Sequence, residues 1–241
     1  MDFLWQEKVI VIIGGTSGIG FATAQAAYAK GAHVVIAGRS VSKLAEARKA
    51  IGHRLQTFMV QMTDESSVQN MFAQLEHVDH LLISAADVVM GPILETDSDV
   101  LKIAMESRFW GSYYAAKYAA PKMNENGSIT FMSGTSTWKP TSGGAVAAAS
   151  GAAVEAMCRS LAVELSPIRV NTISAGAVNT PLLDFIFGEK RDQMVEHLEK
   201  TLPVKRMGQP EDIADAALYL MQNRYTTGTV LSVDGGLLLI E

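Results

Sequence analysis

The sequence predicts an α/β fold: a single-domain, doubly wound parallel sheet of about seven strands with helices on both faces. Three observations predict it. Short β-branched runs alternate with helical stretches along the chain, and that alternation leads to one parallel sheet covered by helices. The runs lack the polar alternation of a half-exposed strand, as strands buried on both faces do. A glycine-rich turn stands between the first run and the first helical stretch, where such a sheet opens its binding crevice.

The elements follow in order. Residues 8–13 read as a buried strand and 18–30 as a helix. Residues 33–37 form a second strand and 41–51 a second helix. Further strands are expected at 55–60, 81–85, 128–133, 169–174 and 229–233, with helices near 64–76, 99–125, 144–165 and 210–222. No internal repeat or linker divides residues 1–241, so one domain is expected. Residues 182–203 are apolar first (Leu182, Leu183, Phe185, Ile186, Phe187) and then charged. They suit either a substrate lid or a surface helical excursion.

Composition narrows the class. The chain has 241 residues, 48% hydrophobic and 19% charged, enough for a sizeable core. A net charge of −5 lacks the basic excess of a nucleic-acid binder. One cysteine, Cys158, rules out an intrachain disulfide framework and suits a reducing cytosol. The N-terminal MDFLWQEK has no signal-peptide pattern, and no run reaches the roughly 18–20 apolar residues of a membrane span. The closest, 143–157, is interrupted by Ser150 and Glu155. The expectation is a cytoplasmic protein with no membrane and no nucleic-acid partner. Of the five histidines (His33, His53, His77, His80, His197), none pairs at metal-ligand spacing. No metal site is expected, and His77 and His80 read as surface residues.

The turn Gly14-Gly15-Thr16-Ser17-Gly18-Ile19-Gly20 follows the first strand directly and opens the first helix. Glycines let the backbone turn tightly and let a diphosphate approach, and the helix N-terminus offers free N–H groups to the anion. This is the Rossmann arrangement for a dinucleotide. At the end of the second strand stands Gly38-Arg39-Ser40. NAD sites place an acid there, whereas Arg39 can meet a 2′-phosphate with bidentate bonds. The cofactor expected is NADP(H), held by Gly14, Thr16, Ser17, Gly18, Ile19, Gly20, Arg39 and Ser40.

In these motifs the chain resembles the short-chain dehydrogenase/reductase family along nearly its whole length. The family's T-G-x-x-x-G-x-G turn matches Ile13 to Gly20, with Ile13 for threonine. Gln61 replaces the family's aspartate at the adenine, and Met62 beside it covers the base. The N-N-A-G turn after strand four corresponds to Ile83-Ser84-Ala85-Ala86, which brings Ala85 into the cofactor set. Ile168-Arg169-Val170-Asn171 with Gly176, Thr180 and Pro181 matches R-V-N…P-G-x-x-x-T-P, with Ala175 for proline, and places Thr180 at the nicotinamide carboxamide. Thr227-Gly228 and Asp234-Gly235-Gly236 match the closing T-G…D-G-G. The resemblance implies a homo-oligomer, dimer or tetramer, compatible with the small residues at 143–153 and the apolar tail 237–240.

The family reduces carbonyls with a tyrosine and lysine in Y-x-x-x-K, a serine and an asparagine. The resemblance puts Ala147 at the tyrosine, Gly151 at the lysine, Gly134 at the serine and Arg108 at the asparagine. No tyrosine lies between Tyr118 and Tyr219 to restore the motif. Arg108, able to clamp an oxygen but a poor proton donor, and Ser133, beside Gly134, are the candidate catalytic residues. Ser84, Thr135, Ser136 and Ser150 are possible hydrogen-bonding groups. Asp87 reads as an acid or base if burial raises its pKa, or as a capping carboxylate. Lys139 reads as an inward-swinging cation or a solvated loop residue, and Trp110 as core packing. Three functions fit: an NADP(H)-dependent oxidoreductase with a non-standard site, acting on a small organic substrate such as an iminium or an activated double bond; a non-catalytic NADP(H)-binding sensor or partner subunit; and a non-redox isomerase or cyclase.

Overall fold

The computed structural model describes residues 4–240. Seven strands form one sheet, β1 (Val9–Ile13), β2 (His33–Gly38), β3 (Gln56–Met59), β4 (Val78–Ile83), β5 (Met123–Gly134), β6 (Arg169–Ala175) and β7 (Val230–Val233). Their spatial order is β3-β2-β1-β4-β5-β6-β7, and every pair is parallel. The chain winds outward from β1 to β3, then returns to place β4 on the other side of β1. That reversal opens a crevice at the carboxyl ends of β1 and β4.

Strand periodicity divides the core into two layers. Val11, Ile13, Val35, Leu81, Ile83 and Phe131 face one side, with Phe72 and Val154 from covering helices. Ile10, Ile12, Val34, Ile36 and Leu82 face the other, with Ala24, Ala27, Ile213 and Ala217. Successive side chains of one strand serve opposite layers, so both faces must be apolar.

The first layer is covered by α3 (Glu65–Ala73), α5 (Gly111–Ala119) and α6 (Ala145–Glu164), with α4 (Ser98–Met105) packed on α6; the second by α1 (Gly18–Ala29), α2 (Val41–Ile51) and α9 (Pro210–Gln222). Local chemistry sets several starts. Asp64 caps α3 by accepting from the Ser66 and Ser67 N–H groups, and Pro210 opens α9 behind a Gln209–Asp212 capping box.

Some expectations need correction. The stretch 99–125 is not one helix: α4 passes through a π-helical turn, Glu106–Trp110, into α5, and β5 already begins at Met123. β5 starts early because Val78 pairs with Met123 before the register jumps to His80 and Ser128. β4 begins at Val78, so His80 is not a surface residue. It is buried inside the sheet, with Nδ1 2.8 Å from Ser128 Oγ. His77 is exposed, as expected, beside Asp79. Trp110 is not core: it is exposed, stacked on Tyr114. The 20-residue α6 does reach membrane-span length and hydropathy. Its buried residues Val154, Glu155 and Cys158 are nevertheless those of a core helix laid on β5 and β6.

Candidate functional site

The turn after β1 is shaped by backbone contacts. Gly14 has φ +93°, and a Cβ there would stand 2.6 Å from the Ala85 nitrogen, so both conformation and space require glycine. At Gly20 a Cβ would fall 2.3 Å from the Gly14 carbonyl oxygen. Ser84 braces this turn, its hydroxyl shared between the Ile13 and Gly14 carbonyls at 3.2 and 3.3 Å. Ser17 occupies the N-cap of α1 but makes no capping bond, which leaves the helix N-terminus open to an anion.

A cleft of about 370 Å³ lies over this turn. Gly14, Thr16, Ser17, Gly18, Ile19, Gly20, Arg39, Ser40, Met62, Ala85 and Thr180 all line it. Not all present free groups. Ser40 Oγ caps α2 by accepting from the Lys43 N–H. Met62 is buried, with its methyl against Gly111. Thr180 closes over Gly18, where a Cβ would meet its methyl at 3.1 Å. Lys43 also lines the cleft. Sequence reasoning missed it, although its place one turn beyond Ser40 was a usable signal. Asp87 neither caps a helix nor stands as a lone acid. It pairs with Arg39 at 3.0 and 3.1 Å.

A second, larger chamber of about 850 Å³ adjoins the cleft, and Ile19, Ser84, Ala86, Thr180 and Leu182 line both. Its walls are mostly apolar: Val88, Met90, Met132, Val178, Leu183, Ile186, Phe187 and Leu237. Three of these come from α7 (Pro181–Phe187), which with α8 (Arg191–Thr201) occupies the 182–203 segment. That segment packs around its own small core of Leu183, Leu198, Leu202 and Met207.

Arg108 and Ser133 both line the chamber, near Ala147. The Arg108 guanidinium donates from Nη1 to the Ala147 carbonyl at 3.4 Å, while its buried Nε has no partner. Among the described residues it makes no ion pair, and burial pushes its pKa down. Gly151 explains how the arginine fits. A Cβ there would come 2.8 Å from the Thr137 methyl and 3.6 Å from Arg108 Nη1, so those side chains occupy the space a residue-151 side chain would need. Ser133 donates to buried Glu155 at 2.7 Å, and Thr137 reaches the same carboxylate oxygen at 3.0 Å. The Ser133 proton is therefore engaged, and its lone pairs remain as acceptors. Glu155 escaped sequence reasoning. A single acid on the sheet-facing side of an alanine-rich helix was the available signal.

The other polar candidates divide. Thr135 and Ser136 line the chamber. Ser150 turns back to the Ala147 carbonyl at 3.0 Å, and Ser84 serves the glycine turn. Half-buried Lys139 lines the chamber, and its ammonium holds the Leu237 and Ile240 carbonyls at 3.3 and 2.7 Å, tying residues 237–240 to the chamber rim.

Comparison with known proteins finds relatives along nearly the whole chain. A family model described as Enoyl-(Acyl carrier protein) reductase matches residues 14–238. The short-chain dehydrogenase/reductase malC of Malbranchea aurantiaca is 33% identical, over 98% of this chain and 96% of its own. The solved MalC Reductase/Diels-Alderase from that organism superposes with a TM-score of 0.91, covering 98% of both chains. Human 3-oxoacyl-[acyl-carrier-protein] reductase is 32% identical over 97% of this chain and 99% of its own. A small-chain dehydrogenase solved with NADPH is 34% identical, with a TM-score of 0.83 over 96% of this chain and 99% of that one.

Proposed function

The chain belongs to the short-chain dehydrogenase/reductase family, and from that premise we propose that it is an NADP(H)-dependent oxidoreductase with a non-standard active site, acting on a small, largely apolar substrate with a conjugated carbonyl. The observation that carries the reading is the continuity of the two spaces. A glycine-walled cleft with an open helix N-terminus and Arg39 shares one wall with an apolar chamber headed by Arg108. The cleft fits the coenzyme, because a Cβ at Gly18 would intrude against Thr180 and one at Gly20 would distort the turn. A structural relative solved with NADPH adds support.

When bound, the coenzyme supplies a hydride. The remaining work falls to the chain. The turn at 14–20 and the α1 N-terminus would hold the diphosphate, Arg39 and Lys43 would meet the 2′-phosphate, and Thr180 would hold the carboxamide end. Arg108 decides between substrates. A guanidinium on the chamber wall, with no carboxylate paired to it among the described residues, favours an oxygen that gains negative charge and disfavours a cationic iminium. Reduction of an activated double bond leaves charge on such an oxygen. Arg108 keeps its own proton and the Ser133 proton is held by Glu155, so the carbon that becomes protonated takes its proton from solvent. We place the 182–203 segment as a lid and assign Ala147, Gly151 and Gly134 to the positions where the family carries its tyrosine, lysine and serine.

Single-turnover mixing with NADPH and a panel of cyclic enones, ketones and imines tests the reading. Enones should oxidise NADPH fastest, and Arg108→Leu should slow them by about 10²–10³-fold with little change in NADPH affinity. A panel that leaves NADPH untouched would refute it. A second reading, a cyclase without redox turnover, is favoured by the chamber's volume and by the relative described as a Diels-Alderase. Substrate conversion without NADPH consumption would select it.

We also infer a homo-oligomer. α6 exposes Ala145, Ala149, Ala152, Ala156 and Val163 along one side, and the α4–α5 helix exposes Val100, Ile103, Trp110 and Tyr113. These small and apolar strips suit helix-on-helix packing between copies.

A further inference from the structure

Among the described residues, Asp87 is the one carboxylate lining the coenzyme cleft, and it is closed on the cation that a 2′-phosphate needs. Arg39 Nη2 lies 3.0 Å from Asp87 Oδ1, and Nη1 lies 3.1 Å from Oδ2. Arg39 follows β2 and Asp87 follows β4, while β1 runs between those strands. The pair therefore spans the crevice above the glycine turn. Asp87 is anchored from the π-helical turn, its N–H donating to buried Ser107 Oγ at 2.9 Å.

We propose that Asp87 is a coenzyme-selectivity residue: its carboxylate competes with the 2′-phosphate for Arg39 and so narrows the preference for NADPH over NADH. This rests on NADP(H) occupying the cleft. A guanidinium fork engaged bidentately by a carboxylate cannot offer the same two bonds to a phosphate. Binding the phosphate requires the pair to open, and apparent affinity falls with the fraction that is open. NADH carries no 2′-phosphate and leaves the pair closed. The size of the effect is bounded by exposure. The Arg39 and Asp87 side chains are 64% and 33% exposed, and an exposed pair of good geometry favours its closed form by about fivefold at most. Asp87 thus tempers the coenzyme preference and does not abolish it. Lys43, on the same wall, stays available to the phosphate in either state.

Equilibrium binding of NADPH, NADH and adenosine 2′,5′-bisphosphate, followed by calorimetry, tests the proposal on the whole chain. Asp87→Asn and Asp87→Ser should each tighten NADPH and the bisphosphate by about two- to fivefold and leave NADH within twofold. In an Arg39→Ala background the same substitutions should lose most of that gain, because the competition needs both partners. Unchanged or weaker NADPH binding in both Asp87 variants overturns the proposal and leaves the coenzyme assignment standing. A gain that persists in full without Arg39, or appears equally for NADH, overturns it too. A wild-type chain that binds none of the three overturns both the proposal and the coenzyme assignment.

Discussion

At the scale of single residues, space decides more than charge. Gly20 has no room for a methyl group because the Gly14 carbonyl stands where it would go. Gly20→Ala should therefore weaken NADPH binding at least tenfold by displacing the turn, and should lower stability by about 1–3 kcal/mol. Isothermal titration and thermal melting check the two effects separately. A variant that binds normally would remove the turn from the coenzyme site. His80 offers a test of the core. Its burial, then repulsion from Arg169, depress its pKa to about 3, against a smaller opposing pull from Asp79. Between about pH 6.5 and 3 the unfolded chain binds a proton at this residue and the folded chain does not. Stability contributed by the neutral ring should thus fall with acidification, by up to about 1.4 kcal/mol per pH unit. Urea midpoints at pH 7, 6 and 5 should drop more steeply for the native chain than for His80→Gln, and parallel slopes would refute the assignment.

At the scale of elements, the π-helical turn between α4 and α5 is the most consequential piece. It lets two consecutive residues face different spaces: Ser107 lines the coenzyme cleft and Arg108 the chamber. A regular helix would send neighbours about 100° apart without a wide turn between them, and π turns recur where function needs that adjustment. Nothing in the local sequence announces it, so 99–125 read as one helix. The strands were legible because β-branched runs buried on both faces leave a strong pattern, yet the starts of β4 and β5 were not. Asp79, His80 and Asn124 carry polar signals that burial and hydrogen bonding satisfy only in three dimensions. The same distinction governs the site. The glycine turn is local and could be read directly. The Arg39–Asp87, Ser133–Glu155 and Lys139–tail contacts join residues 48, 22 and about 100 positions apart. α7 supplies a prediction of its own. If it closes over the chamber as a lid, its backbone amides should exchange several-fold more slowly once NADPH and an enone are both present. Hydrogen exchange that is unaltered across 181–187 would leave it as a fixed wall.

At the scale of the whole molecule, the exposed helical strips should bring copies together. Sedimentation at micromolar concentration should give a dimer or tetramer, and Ala152→Arg, a charge set on the middle of the α6 strip, should dissociate it with little loss of monomer stability. A native chain that sediments as a monomer would rule out the association. The fold as a whole was readable because seven strands and their covering helices repeat one pattern, whereas the chamber required distant parts of the chain to converge. Ile19, Ser84, Ala86, Thr180 and Leu182 line the junction where the two spaces meet. A molecule seated on either side becomes flooring for its neighbour, so arrival should be sequential. A tethered compound, a nicotinamide mimic joined by a short linker to a greasy enone, would gain avidity through effective concentration that neither half achieves alone.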